Sequence, residues 1–296
     1  MALRISLREL EVFVAIADHG TVTAAADGIG LTQSAASQAL ASLEGGLSAT
    51  VFDRVGRKLL LNEQGRLLLP RARAMLDSAQ EMQQMFTGDA GMHLRLGAST
   101  TIGNYLLPAR LADFRLRHPA AVVELMVANT ADVVDAVATF RVDAGFIEGP
   151  CHHPELVVEP WRQDRMCVFA AAGHPLAKGE ATLAQLGGAE WVLREAGSGT
   201  REEVERLLLP HLGSLGQVME LGQSEAIKQL VAAGMGISCL SAHVVAEWLA
   251  DGRLVELRSP LPTLYRTLFR VRHKDKVMGR GMVRFAEDNP PDEPVG

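Results

Sequence analysis

Residues 21–43, TVTAAADGIGLTQSAASQALASL, limit what this chain can fold into more than any other stretch. Alanine-rich runs on either side of a glycine pair predict two short helices joined by a tight turn. Thr21 and Thr32 each precede a periodic run and are expected to N-cap it. Ala24, Ala25 and Ala26 are small enough to let a second helix approach closely, and Gly28 and Gly30 are expected to supply the turn around Ile29. In the second helix Ala36, Leu40, Leu43 and Leu47 fall at helical spacing on the core side. Gln33 sits in its first turn, and Ser34, Ser37, Gln38 and Ala41 lie opposite the core. Serine and glutamine can bond base edges and phosphates alike, so the pattern fits a helix-turn-helix with its second helix in the major groove. A helical hairpin that touches no nucleic acid is the alternative this stretch leaves open.

The residues that follow weigh toward DNA. Residues 51–61, VFDRVGRKLLL, have strand-like ends around a central VGRK, as in a β-hairpin wing. From Arg54 to residue 73 the chain carries Arg54, Arg57, Lys58, Arg66, Arg71 and Arg73 against the single acid Glu63. The whole chain has 29 basic and 35 acidic residues and a net charge of −6, so this run is a local asymmetry that would clamp phosphates. A long helix is expected next, capped by Asn62, with Leu68, Ala72, Met75, Ala79, Met82 and Phe86 alternating in steps of four and three. That is a short dimerisation seam or the buried face of a single amphipathic helix. Pro70 predicts a bend or a shifted start. Residues 87–91, TGDAG, mark a domain boundary.

On these residues, 5–88 resemble the DNA-binding end of a LysR-type transcriptional regulator: LRELEVFVAIADHGTVTAAA, LTQSAASQALASLE, VFDRVGRKLLLNEQG and PRARAML match in order and spacing. The chain departs from that family in having Ala41 and Ser42 where Arg or Lys is common, and Gly45 and Gly46 where charged residues are common. The recognition helix therefore carries no cation, and phosphate contacts fall to the wing and linker.

From His93 the pattern changes to alternating strands and helices. Strands are expected at 94–98, 122–127 and 143–147 and helices at 102–117 and 131–141, a βαβαβ order that implies a parallel sheet. A second unit follows, with strands at 165–171, 191–193, 218–221 and 237–240 and helices at 201–209, 225–233 and 242–249. A strand at 264–271 is expected to cross back to the first unit. Two such units suggest a cleft that closes on a ligand. Ligands of open parallel sheets bind beyond the carboxyl ends of strands. Ser99, Thr100 and Thr101 stand there after the first strand, Glu148 after the third, and Ser198, Gly199, Thr200 and Arg201 open a helix in GSGTR. Ser224 is expected to cap a further helix. Hydroxyls and free N–H groups at helix N-termini suit an anion, although any one of these residues is equally well read as an ordinary cap. Arg201 is the one obvious cation of these loops, with Lys228 a turn into a helix, and Glu148 would repel a highly charged guest. A small oxyanion or small carboxylate fits better than a polyphosphate, and GSGTR lacks the lysine and spacing of a P-loop.

GASTTIGNYLLPA, FRVDAGFIEGPCHHPEL, WVLREAGSGTREEVE and MELGQSEAIKQLVAAGMGISCLS in this half are similar to the effector domain of LysR-type regulators, above all its CysL/YeiE branch. The resemblance implies a two-lobed fold like that of periplasmic binding proteins and an effector of the sulfite-like oxyanion class tied to sulfur metabolism. It implies a cleft position for Ser99, Thr100, Ser198, Thr200 and Ser224. The tail DNPPDEPVG falls outside it and reads as disordered.

Other function classes find little support. No apolar run approaches membrane-spanning length and no signal peptide opens the chain, so a cytoplasmic protein is expected. Cys151, Cys167 and Cys239 are odd in number and scattered, as in a reducing compartment. Cys151-His152-His153 lacks a second ligand pair at metal spacing, and nothing marks Cys151 as a lowered-pKa thiol. No nucleophile elbow, metalloprotease helix or dinucleotide fingerprint is present. The competing function is a small-molecule enzyme fused to a DNA-binding head. The expectation is thus an α/β protein with an all-α winged helix-turn-helix at 1–61 and a dimerising linker at 62–91. Lobe I of the effector domain is expected at 92–163 plus 268–296, and lobe II at 164–267. Its partners would be double-stranded DNA, a small anionic effector and further copies of itself as homodimer or homotetramer, with no cofactor, metal or membrane. Gln33, Ser34, Ser37 and Gln38 are the base-reading candidates, Thr32 a further DNA-binding candidate, and Arg54, Arg57 and Lys58 the phosphate contacts.

Overall fold

The computed structural model describes residues 4–56, 58–84 and 92–290; Arg57, Phe86, residues 87–91 and most of the acidic tail lie outside them. The chain divides into two compact units, Met1–Met92 with Ala138–Arg141, and His93–Val137 with Val142–Gly296.

The first unit is helical. It comprises α1 (Leu7–His19), α2 (Val22–Gly28), α3 (Gln33–Leu47), the hairpin β1 (Phe52–Val55) and β2 (Lys58–Leu61), and α4 (Glu63–Gln84). Ser6 and Glu9 form a reciprocal capping box at the start of α1, and Thr21 and Thr32 accept from Ala24 N and Ala35 N, as expected of N-caps. The turn between α2 and α3 rests on Gly30 alone, at φ +67°; Gly28 closes α2 in a right-handed conformation. Ala25, Ala26 and Ala36 are 0–1% exposed, so α2 and α3 approach at alanine distance over a core of Leu10, Phe13, Ile16, Leu40 and Leu43. Phe52 of the wing packs its ring 5.4 Å from that of Phe13, and Leu59 N donates to Gly20 O at 2.9 Å, seating the wing on the end of α1. Asn62 Oδ1 accepts from Gly65 N and caps α4, which begins at Glu63 and continues unbroken through Pro70. Leu69 and Ala72 serve this unit's own core, whereas Met75 and Met82 are exposed.

The second unit is α/β, built on a nine-stranded sheet. In chain order it runs β3 (His93–Ser99), a π-helical turn (Ile102–Leu106), α5 (Leu107–Arg117), β4 (Val122–Ala128), α6 (Thr130–Ala138) and β5 (Ala144–Glu148). The π turn replaces the first turns of the single helix expected over 102–117. There follow β6 (Leu156–Ala171), α7 (Leu183–Gly187), β7 (Trp191–Arg194), α8 (Gly199–Leu212), β8 (Val218–Leu221), α9 (Ser224–Ala232), β9 (Ile237–Ser241), α10 (Ala242–Ala250), β10 (Leu254–Glu256), β11 (Leu264–His273) and α11 (Arg280–Asp288).

The strands lie in the order β4-β3-β5-β11-β6-β9-β7-β8, with β10 paired to β6; the β4-β3-β5 half is parallel, as is β7-β8, and the two halves are bridged by the long antiparallel strands β6 and β11. β6 begins nine residues before the strand expected at 165. Its early part lacks continuous apolar character, being stitched into the sheet by β11 rather than by two buried faces. The β6–β11 register shifts between Leu268 and Phe269, leaving Trp161 unpaired opposite the shift and 1% exposed. Trp161 stacks edge-on against Phe146, which meets Phe285 of α11, which meets Phe114 of α5. The start of the tail is likewise fixed: Asn289 is 5% exposed, accepts from Arg110 Nη1 at 2.8 Å, and Asp288 pairs with Arg117.

Candidate functional site

The DNA-facing candidates sit on the outer side of the first unit. Gln33, Ser34 and Gln38 are exposed on α3 and Ser37 is half-buried, with Gln33 Nε2 donating to Ser37 Oγ at 3.1 Å. Thr32 spends one acceptor on its own helix cap. Arg54 and Lys58 are exposed on the two strands of the wing, and Arg57 is outside the described residues. The basic run is less free than its sequence suggests. Arg73 is 8% exposed and paired with Asp18, while Arg66 and Arg71 bond the carbonyls of Leu61 and Leu67. Arg73 is therefore a core strut rather than a phosphate clamp.

In the second unit the strand ends gather the expected polar residues, but around an anion that the protein supplies itself. Glu148, at the end of β5, is 1% exposed. Its Oε1 accepts from Ser99 Oγ at 3.0 Å and Thr101 N at 3.1 Å, and its Oε2 accepts from Thr200 Oγ1 and from Arg266 Nη1 at 3.1 Å. Arg266 is wholly buried on β11; its Nε donates to Asp164 Oδ2 at 2.7 Å, and Asp164 Oδ1 accepts from Ser241 Oγ at 2.7 Å. Burial pushes the Glu148 pKa up, but the Arg266 guanidinium and the donors from Thr200, Thr101 and Ser99 outweigh it and hold the carboxyl below its ordinary value. Two sequence expectations change here. Glu148 is a neutralised structural carboxylate and not a repelling one, and Ser99, Thr101 and Thr200 spend their donors on it. The start of α8 is closed as well: a Cβ on Gly199 would lie 2.1 Å from Glu148 O, and Gly199 N already donates to Thr130 Oγ1 at 3.2 Å.

Arg201 is likewise spent within the protein, pairing with Glu205 and Glu220 and donating Nη1 to the carbonyl of Arg194. Ser198 occupies the N-cap position of α8, 2% exposed, without a side-chain capping bond. Ser224 is the first residue of α9, whose cap is Gln223, and its Oγ accepts from Arg194 Nη1 at 3.4 Å.

Arg194 is the cation that sequence reading missed. It ends β7, is 2% exposed, and binds both carboxylate oxygens of Glu195 side-on while its Nη2 reaches Thr100 Oγ1 at 3.5 Å. Thr100, Asn104, Asn129, Arg194 and Gln223 line a cavity of about 470 Å³, together with the carboxylates of Asp132 and Glu195. A buried guanidinium beside two hydroxyls and several amides is suited to hold a small anion. The sequence signal for it was the run WVLR, a buried strand whose last residue needs a partner.

The thiols are poor sensors. Burial pushes Cys151 up, pushes Cys167 to about 12, and raises Cys239 further. Among the described residues no three His, Cys, Asp or Glu side chains group as metal ligands, and no helix is long and apolar enough to cross a membrane.

With the geometry in place, comparisons with known proteins give a consistent picture. Residues 7–66 match the family model described as bacterial regulatory helix-turn-helix protein, lysR family, and residues 87–287 match LysR substrate binding domain. The chain is 51% identical over 285 residues to the HTH-type transcriptional regulator YeiE of Escherichia coli (strain K12), covering 96% of this chain and 97% of that one. It is 30% identical over 240 residues to the HTH-type transcriptional regulator CysL of Bacillus subtilis (strain 168), covering 80% of each. The fold is similar to that of a full-length OxyR variant from Pseudomonas aeruginosa, with a TM-score of 0.77 at 23% identity over 96% of this chain and 93% of that one.

Proposed function

Because the chain belongs to the LysR family of DNA-binding transcriptional regulators with a ligand-binding effector domain, we propose that its effector is a small, sulfite-like oxyanion held by Arg194, Thr100 and Ser224. The observation that carries this reading is the buried Arg194 guanidinium, which lines the cavity beyond β3 and β7 together with Thr100 and donates to the hydroxyls of Thr100 and Ser224. The resemblance to the CysL/YeiE branch supports the sulfur oxyanion within that class. Lobe I, at 92–163 plus 268–296, supplies Thr100, and lobe II, at 164–267, supplies Arg194 and Ser224. Ligand binding across them shifts the population of closed effector domains, and promoter regulation follows. On the DNA side Gln33, Ser34, Ser37 and Gln38 read bases, and Arg54, Arg57 and Lys58 grip phosphates from the wing. A second copy packs along the exposed Met75 and Met82 of the linker helix.

A thermal-shift panel of sulfite, sulfate, thiosulfate, phosphate and small carboxylates tests the ligand. An upward shift with an oxyanion is expected, and its complete loss in Arg194→Gln, which should still unfold cooperatively although at a lower temperature because Glu195 loses its buried partner. A shift that survives that substitution places the site elsewhere, and turnover of the bound anion would favour an enzyme.

A further inference from the structure

The effector cavity carries more negative than positive charge. Arg194 is its cation, and Glu195 and Asp132 contribute two carboxylates. Glu195 already occupies one edge of the Arg194 fork, with Nε and Nη2 each 2.7 Å from a carboxylate oxygen. Among the described residues the other edge, Nη1 and Nη2, meets only Ser224 Oγ at 3.4 Å and Thr100 Oγ1 at 3.5 Å, at the long limit of hydrogen bonding. An acceptor oxygen placed on that edge gains shorter bonds from the guanidinium and from both hydroxyls. It also shares Nη2 with Glu195, so guest and carboxylate stand a few ångströms apart. Their repulsion grows in proportion to the charge on the guest. A guest that keeps a proton is spared part of that repulsion and can donate its O–H to the carboxylate, whereas a fully deprotonated guest offers only acceptors.

We propose that Glu195 is the selectivity residue of this pocket: it admits singly charged oxyanions that carry an O–H and turns away divalent oxyanions that have none. The inference rests on the oxyanion reading of the pocket and specifies which oxyanions it accepts. Glu195 is 23% exposed at its side chain, so it borders the cavity rather than sitting behind Arg194.

Calorimetric titration of the full-length protein at pH 7 with sulfite, inorganic phosphate and sulfate tests it. Sulfite and phosphate retain a proton on a sizeable fraction of molecules at this pH, and sulfate retains none. The wild-type protein should bind sulfite at least about tenfold more tightly than sulfate. Glu195→Gln and Glu195→Ala, two independent ways of removing the charge, should strengthen sulfate binding and bring the ratio near one, while Glu195→Asp should keep the preference. Equal binding of sulfite and sulfate by the wild type, or an unchanged preference in the folded Gln or Ala variant, overturns the proposal and leaves the oxyanion site standing. Binding of no oxyanion by wild type or variants overturns the oxyanion site itself. Binding of a zwitterionic amino acid in their place would mean that Glu195 receives an ammonium group, which also overturns it.

Discussion

At the scale of single residues, the decisive feature of the effector half is a wholly buried arginine between two buried carboxylates. Arg266 serves Glu148, Asp164 and Thr200 at once, and without it the two carboxylates keep their hydroxyl and amide donors but lose their counter-charge. Arg266→Met should therefore cost about 3–5 kcal/mol, read from the urea midpoint at constant m value, because it leaves two desolvated carboxylates unpaired. The network was only partly legible in the sequence. Ser99, Thr101, Glu148 and Thr200 were found because they stand at strand ends, where position alone marks them. Arg266 was not, because it sits inside a strand that reads as an apolar pattern, and Asp164 was not, because it lies just before the strand expected at 165, in the part of β6 that the sequence left unread. The signal was there: Arg266 shares its face with Leu264 and Leu268, and Asp164 with Met166 and Val168, both inward faces. A charge of each sign on the core side of two strands that pair is a legible ion pair, once the pairing is known.

At the scale of elements, the helix-turn-helix was readable almost residue by residue, because caps, alanine contacts and the Gly30 turn are local. The wing was also readable, its strand ends and turn falling inside the expected segment. The short elements α7 and β10 went unread: five and three residues carry too little periodicity to register. α11 was missed for another reason, since it follows a loop and its apolar face is only Met282 and Phe285. The wing supports a prediction that separates grip from reading. Lys58→Ala should weaken binding to specific and unrelated DNA by a similar factor and lower the salt slope by about one. Gln38→Ala should instead narrow the gap between them. A change in sequence preference alone for Lys58→Ala would remove it from the phosphate contacts.

At the scale of the whole molecule, stability should fall steeply in acid. Glu148 and Asp143 are both buried carboxylates whose burial would raise their pKa. Arg266 and the hydroxyl donors reverse this for Glu148; the hydrogen bond from Arg95 and the charge of Lys276 reverse it for Asp143. Their folded-state values lie below the ordinary 4.5 and 3.8, so their contribution is complete above those values and is lost as the pH falls through the lowered ones. Urea midpoints measured from pH 6 down to pH 3 should hold and then drop, and Glu148→Gln should flatten the drop. A midpoint indifferent to pH over this range would mean that neither pair survives in solution. The joined β6–β11 ladder sets a second, mechanical property of the molecule. Trp161 is wedged at the register shift, and sliding β6 past β11 by a residue would turn Trp161 and Asp164 out of the core and leave Arg266 without its carboxylate partner. Translation along the ladder is thus forbidden while twist about it is not, and the two strands act as a torsion bar, with rotation the one soft degree of freedom left to the sheet.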